Sequence, residues 1–175
     1  SSTIISTSIG QGEILATPIQ IANLAALIAN KGYFYTPHII KSIEGGEIDS
    51  VYRTKHVVNI KEKYFDVVQE GMEAVVTKGT ARFNGQIDGV TYCGKTGSAQ
   101  IPHGEDHSIF MAFAPKENPQ IAIAVYVENS GFGATWAVPI ASLMIEKYLH
   151  REIATKRLHI EKRMMESVIE PKEKK

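Results

Sequence analysis

Apolar residues fall along this chain in blocks with helical periodicity. Residues 18–30 are apolar on nearly every side, which predicts a central, buried helix that Thr17 caps and Pro18 opens. Residues 134–149 predict a second helix against the same core. Residues 60–78 predict a third, whose apolar positions lie on one side: Tyr64, Phe65, Val68, Met72, Val75 and Val76.

Other blocks have the near-continuous apolar character of buried strands. Residues 108–114 and 120–128 are of this kind, and the polar, proline-flanked segment 115–119 predicts the turn between them. Together with a short strand at 89–93 they predict an antiparallel meander buried on both faces. An antiparallel sheet flanked by helices is an α+β fold.

Three segments lie outside this framework. Residues 1–12 are polar and punctuated by glycine, which predicts a loop. Residues 38–43 and 50–58 predict two strands of a hairpin around the turn 44–47. Residues 150–175 contain eight lysines and arginines against five glutamates, which predicts a solvated helix that frays into a charged tail.

Composition limits what kind of protein this chain can be. The 175 residues suffice for one domain with a core, and 43% of them are apolar. Lysine plus arginine equals aspartate plus glutamate at 19 each, so nothing indicates a nucleic-acid partner. The single cysteine, Cys93, excludes an internal disulfide, and its apolar surroundings predict a buried structural thiol.

The candidate chemistry lies in residues 92–100. Gly94 and Gly97 flank a lysine and a threonine just after the predicted strand, an arrangement that favours close approach of an extended, anionic ligand. Lys95 supplies a point charge for a carboxylate, and the Thr96 hydroxyl supplies a hydrogen bond. A Lys-Thr-Gly triplet at a strand end is also a common structural turn, so the triplet alone decides nothing.

The triplet is one of a series of short blocks. In chain order they are Ser8-Ile9-Gly10-Gln11-Gly12-Glu13, Ala16-Thr17-Pro18-Ile19-Gln20, Ala29-Asn30-Lys31-Gly32, Pro37, residues 72–76, Gly79-Thr80-Ala81, Gly94-Lys95-Thr96-Gly97, Asp106-His107, residues 110–115 and Val127-Glu128-Asn129. In order and spacing these blocks resemble the C-terminal half of a penicillin-binding transpeptidase domain. The resemblance covers about residues 7–149 and is to the elongation-type class B enzymes, the penicillin-binding protein 2 group.

The resemblance implies a domain organisation. Residues 1–149 are expected to be the C-terminal part of a fold shared by penicillin-binding proteins and serine β-lactamases, with residues 150–175 appended. The superfamily signature has three parts, Ser-x-x-Lys, Ser-x-Asn and Lys-Thr-Gly, of which only the third is present. The resemblance places the nucleophilic serine upstream, so Ser1 is expected to be a cut end and the chain alone to be inactive.

The resemblance also implies roles for four residues in a serine acyl transfer. Lys95 is expected to stabilise negative charge and relay protons as the catalytic residue of this half. Lys95, Thr96, Gly97 and Ser98 are expected to bind the substrate, with the Ser98 N–H as one donor of the oxyanion hole. The ligands implied are the D-alanyl-D-alanine end of a peptidoglycan stem peptide and the β-lactams that mimic it.

Other implied properties concern the parent protein. No cofactor and no metal are expected. The resemblance implies partners among wall-elongation membrane proteins and a domain on the extracytoplasmic, periplasmic side of the bacterial cytoplasmic membrane. Two alternatives remain open: the same fold as a D,D-carboxypeptidase or β-lactam sensor, and a non-catalytic binding module.

Two further clusters have competing interpretations. Gln11 either contacts substrate or shapes its loop, and the second is favoured for a loop residue without other support. His103 and His107 flank two carboxylates, Glu105 and Asp106, but a short cluster on a hairpin without a distant ligand is weak evidence for a metal site. A structural role is predicted for Asp106 and His107.

A sheet that lacks its upstream strands predicts self-association. Such a sheet exposes an unpaired edge and part of an apolar face. We expect the 175-residue chain on its own to dimerise or to be less stable than a protein extended upstream. Light scattering that finds a stable monomer would contradict this expectation.

Overall fold

The computed structural model describes residues 2–101 and 103–170 of the chain. Pro102 and the predicted charged tail at 171–175 lie outside the described residues. In chain order the elements are α1 (Ser2–Ser8), α2 (Pro18–Ala29), β1 (Tyr33–Tyr35), α3 (Ser50–Arg53), β2 (Lys55–Val57), α4 (Glu62–Thr77), β3 (Cys93–Ala99), β4 (His107–Ala114), β5 (Ile121–Val127), α5 (Ala137–His150), a 3-10 turn (Thr155–Arg157) and α6 (Leu158–Glu166). The predicted α+β class is confirmed.

The central sheet is the predicted antiparallel meander, in the order β3-β4-β5. Its register runs from Cys93 opposite Phe113 to Ala99 opposite His107, and β5 pairs with the far side of β4. The predicted strands at 108–114 and 120–128 are confirmed. The predicted strand at 89–93 is wrong, because Gly89 has a φ of +71° in a turn closed by the Ile87–Val90 bridge. The strand begins at Cys93 and contains the Lys-Thr-Gly triplet.

Helices cover both faces of this sheet. One face packs on α5 through a core that includes Phe110, Ala112, Val138 and Ala141. The other face packs on α2 and α4, where a smaller cluster contains Ile28, Ala29, Met72, Cys93 and Phe113. The prediction that the meander is buried on both faces is therefore confirmed for β4, which has buried residues from both clusters.

The helix α2 begins and ends as its sequence predicts. Pro18 is its first residue, the Thr17 N–H donates to Gln20 Oε1 at 2.8 Å, and the helix stops before Lys31 and Gly32, both with positive φ. The prediction that it is buried all round is wrong. Ala25, Ile28 and Ala29 are buried, but the Ile19 and Leu24 side chains are exposed.

The helix α4 confirms the predicted helix at 60–78 but buries only part of the predicted face. Phe65, Met72 and Val76 are in the core, whereas Tyr64 and Val68 are exposed. Helical spacing identifies a face but does not say how much of it another element covers.

Two local predictions are wrong. Residues 2–8 form α1, not a loop. The predicted strand pair at 38–43 and 50–58 is replaced by β1 paired with β2, Tyr33 opposite Val57. The Asp49 carboxylate accepts from the Val51 N–H at 2.9 Å and caps the short helix α3 at the place where the second strand was expected.

The C-terminal segment was predicted to be a solvated helix, but a buried polar cluster joins it to α5. Arg157 and Glu146 are both buried, and Arg157 Nε lies 2.8 Å from Glu146 Oε2. The Arg157 guanidinium also donates to the Ser142 hydroxyl at 2.6 Å and to the Gln86 carbonyl. The Glu146 carboxylate accepts from the Ala154 N–H at 3.2 Å. This polar cluster joins the 3-10 turn and α6 to α5.

The substitution Gly94→Ala should destabilise the sheet. A Cβ at Gly94 would lie 2.2 Å from Cζ of Phe110, whose ring is fully buried. We expect the free energy of unfolding in urea to fall by roughly 1–3 kcal/mol, the usual range for overpacking. Gly71→Ala is the matched control, because its Cβ meets nothing within 4 Å in α4 and should stabilise by about 0.5–1 kcal/mol. Equal effects of the two substitutions would contradict this account of Gly94.

The substitution Arg157→Ala should leave the buried Glu146 carboxylate without its charged partner. Loss of one partner of a buried pair typically costs about 3–5 kcal/mol of unfolding free energy, and the double variant Arg157→Met with Glu146→Leu should recover most of it. The exposed pair of Arg53 with Glu47, also 2.8 Å apart, is the control, and Arg53→Ala should cost under about 1 kcal/mol. Similar losses for Arg157→Ala and Arg53→Ala would show that burial of the pair is unimportant.

Candidate functional site

The predicted site lies on an edge strand. On one side β3 pairs with β4, and on its other side no strand pairs with it among the described residues. In an antiparallel ladder the N–H and C=O groups of one residue point to the same side, and successive residues alternate. The open side of β3 is therefore a row of backbone groups that no strand pairs with among the described residues, a surface that binds extended peptides by adding a strand.

The contacts of Gln11 establish which residues point to that open side. Its Nε2 donates to the Ser98 carbonyl at 2.9 Å, and its Oε1 accepts from the Gln100 N–H at 3.4 Å. By alternation, Thr96, Ser98 and Gln100 direct their backbone groups outward, and Lys95 and Gly97 pair with β4. The Ser98 N–H thus lies on the open edge, as an oxyanion-hole donor requires.

The Lys95 and Thr96 side chains lie on opposite faces of β3. The Lys95 side chain is exposed, and its Nζ donates to the Thr96 carbonyl at 2.7 Å. On the other face, Thr96 Oγ1 lies 2.8 Å from Thr80 Oγ1, which follows the end of α4. A ligand on the open edge would have the ammonium on one side and the two hydroxyls on the other.

The face that holds Thr96 also holds Ser98. The Ser98 hydroxyl accepts from the Gly133 N–H at 3.4 Å. A Cβ on Gly133 would lie 2.7 Å from the Gly97 carbonyl oxygen and 2.6 Å from that of Ile109. Only glycine allows this segment to lie so close to β3 and β4. Gly133 therefore packs directly on the backbone of both strands, on the face that holds Thr96 and Ser98.

The two glycines on either side of Lys95 and Thr96 are present for different structural reasons. Gly94 is required by the Phe110 ring, an interior contact that the interpretation of Gly94 as room for a ligand missed. A Cβ at Gly97 would meet Ile109 Cβ at 3.4 Å, an ordinary contact, so the chain itself does not require glycine there. Gly97 leaves its place beside Lys95 free of side-chain atoms.

The structure thus brings Lys95, Thr96, Gly97 and Ser98 to one edge and adds three residues whose roles sequence reasoning missed. Thr80 and Gly133 had been identified only as parts of a helix end and a linker. Gln11 was predicted to shape its own loop, but its side chain forms hydrogen bonds with β3. The sequence signal for this loop was the pair of glycines around Gln11. In the structure Gly10 and Gly12 have positive φ values of +79° and +95°, a backbone conformation that favours glycine.

The remaining candidates have structural contacts. The Asp106 carbonyl accepts from the Ser130 and Gly131 N–H groups at 3.0 and 2.7 Å, and His107 Nδ1 accepts from the Asn129 N–H at 3.0 Å. Across residues 2–101 and 103–170, no three histidine, cysteine, aspartate or glutamate side chains come together as metal ligands do. Burial raises the pKa of the Cys93 thiol to about 12, which fits the predicted structural thiol.

An apolar groove of about 780 Å³ lies away from this edge, between α5 and α6. Its lining includes Leu143, Met144 and Met165 and contains no residue of β3. Cavity size is therefore not what marks the candidate site. In the described part of the chain, no helix has the length and apolar character needed to cross a bilayer.

Comparison with known proteins identifies the family of this chain. Residues 1–146 match the penicillin binding protein transpeptidase domain. The peptidoglycan D,D-transpeptidase MrdA of Haemophilus influenzae is 31% identical in an alignment of 169 positions that covers 85% of this chain and 26% of that protein. The chain thus spans about a quarter of that relative's length.

Solved structures show the same fold. Pseudomonas aeruginosa PBP2, solved in complex with WCK 5153, superposes with a TM-score of 0.75 and 38% identity, over 88% of this chain and 34% of that one. Helicobacter pylori PBP2, solved in complex with MreC, has a TM-score of 0.66 and 28% identity, over 81% of this chain and 26% of that one.

The family match, the curated relative and the shared fold all indicate the same family. This chain belongs to the penicillin-binding protein transpeptidase family, in its class B, elongation-type branch, and contains part of the transpeptidase domain.

Proposed function

We propose that this chain is the substrate- and β-lactam-binding half of a peptidoglycan D,D-transpeptidase that cross-links stem peptides through a serine acyl-enzyme. The observation that supports it most is the open edge of β3, where an ammonium, a hydroxyl and an outward N–H lie within four consecutive residues, Lys95 to Ser98. The D-alanyl-D-alanine end of a stem peptide is extended and ends in a carboxylate, and both features suit this edge.

The roles we propose follow from the positions of these groups. Lys95 balances the negative charge of the ligand and of the tetrahedral intermediate, and relays protons. Thr96, whose hydroxyl Thr80 orients, binds the terminal carboxylate. Gly97 admits the ligand backbone, and the Ser98 N–H forms one side of the oxyanion hole. The attacking serine, its lysine and the second oxyanion donor belong to the upstream half of the domain.

The organisation and surroundings of the parent protein are proposals of the same kind. Residues 1–149 form the C-terminal part of the transpeptidase domain, and residues 150–175 form an appended segment. A parent anchored in the bacterial cytoplasmic membrane, with this domain on the periplasmic side and wall-elongation proteins as partners, is supported by the structural similarity to the PBP2 that was solved in complex with MreC.

One observation favours a second candidate. None of the serines in the 175 residues is followed at the third position by lysine, so the chain contains no recognisable nucleophile. A non-catalytic binding module with the same fold would keep the open edge without the acyl transfer.

Intact-mass spectrometry after incubation with benzylpenicillin separates the two candidates. The 175-residue chain should gain no mass. The extended protein, meaning this chain together with the preceding part of its domain, should gain the mass of one penicillin because a serine ester retains the opened drug. No adduct on the extended protein would favour the binding module.

Replacement of Lys95 by alanine in the extended protein tests the proposed catalytic residue. The second-order rate of acylation by benzylpenicillin should fall on the order of a hundredfold or more, as when one charge-stabilising group of an acyl-transfer site is removed. Lys61→Ala, which removes an exposed lysine at the start of α4, should leave the rate unchanged. Acylation of the Lys95→Ala variant at the wild-type rate would exclude the proposed role.

A further inference from the structure

The side-chain amide of Gln11 imitates a peptide group of an added strand. Its N–H donates to the Ser98 carbonyl at 2.9 Å and its oxygen accepts from the Gln100 N–H at 3.4 Å, so both ends of one amide pair with β3. The glutamine reaches across 87 residues of sequence to do so, and its side chain is half-buried. No other strand covers this part of the edge among the described residues.

The loop that holds Gln11 also has hydrogen bonds to α1. The Gln11 N–H donates to the Ser6 carbonyl at 2.9 Å, and the Gly10 N–H donates to the Thr7 carbonyl at 3.0 Å. Both flanking glycines have positive φ, and a Cβ on Gly12 would lie 3.2 Å from Ser6 Cβ. The loop backbone therefore stays in place on α1 if the amide of Gln11 leaves β3.

An acyl donor needs the position that the Gln11 amide occupies. A residue paired with Ser98 across an antiparallel ladder accepts from the Ser98 N–H with its carbonyl and donates its own N–H to the Ser98 carbonyl. A ligand whose scissile carbonyl enters the oxyanion hole at the Ser98 N–H thus directs the N–H of the same residue at Ser98 O. In the free protein, Gln11 Nε2 already donates to that oxygen.

We propose that Gln11 is a specificity-determining residue whose amide fills the backbone position of the acyl donor in the free protein and leaves it when a donor with an N–H binds. This inference rests on the proposed function. The amide penalises every ligand that must displace it and spares ligands with no N–H at that position. The penalty is small, because one of its two hydrogen bonds is long at 3.4 Å.

Two penam ligands that differ at this position test the inference. Benzylpenicillin has an acylamino N–H beside its lactam carbonyl, and penicillanic acid has the same bicycle without the acylamino group. In the extended protein, Gln11→Ala should raise the second-order acylation rate of benzylpenicillin roughly threefold to tenfold, the range that one net hydrogen bond supplies. The rate with penicillanic acid should not change.

Two further variants control this measurement. Gln11→Glu keeps an acceptor for the Gln100 N–H but has no donor for Ser98 O, so the ratio of the two rates should shift as in Gln11→Ala even if the added charge slows both anionic ligands. Gln120→Ala, an exposed glutamine at the start of β5, should leave both rates unchanged. An unchanged ratio in the Gln11 variants, or a ratio that moves against benzylpenicillin, would overturn the inference.

Hydrogen exchange in the wild-type extended protein gives a test without any substitution. Displacement of Gln11 by benzylpenicillin removes the acceptor of the Gln100 N–H, so this amide should exchange faster in the penicilloyl-enzyme and stay protected in the penicillanoyl-enzyme. Equal protection of Gln100 in both would overturn the inference. Acylation by neither ligand would overturn the proposed function and this inference together, whereas acylation without selectivity overturns only the inference.

Discussion

The antiparallel pairing of β3 with β4 is the interaction on which the rest of the structure depends. The ladder from Cys93 and Phe113 to Ala99 and His107 leaves every second residue of β3 with its backbone groups outward. That alternation aligns the N–H and C=O of Ser98 with the open edge. A shift of one residue would exchange the faces of Lys95 and Thr96 and turn the Ser98 groups toward β4.

The register is held by contacts in the core and not by the polar residues themselves. The Phe110 ring occupies the space that a side chain at Gly94 would need, and Gly133 lies against the Gly97 and Ile109 carbonyls. The α5 core on one face and the α2 and α4 cluster on the other prevent the sheet from moving toward either side. A site built on a packed strand keeps its geometry better than one built on loops.

Polar contacts between distant parts of the chain complete the edge. Thr80 follows α4, Gln11 belongs to the loop after α1, and both bond to β3. Elsewhere in the chain, the Arg157 and Glu146 pair joins the C-terminal segment to α5. In the Gln11 contact, the side-chain amide pairs with backbone groups that β3 leaves open, and partly buried polar groups usually find such partners.

The sequence by itself determined the α+β class, the helices α2, α4 and α5, the strands β4 and β5, and the motif of Lys95, Thr96, Gly97 and Ser98. Local rules suffice for these, because apolar periodicity, the Thr17 and Pro18 start of α2 and the prolines around the β4–β5 turn act within a few residues. Only the tertiary structure decided that the motif lies inside a strand and that Gln11 and Thr80 contact β3. Those outcomes depend on partners far away in sequence. A segment as rich in glycine as 94–97 has a weak preference of its own, and pairing with β4 overrides it.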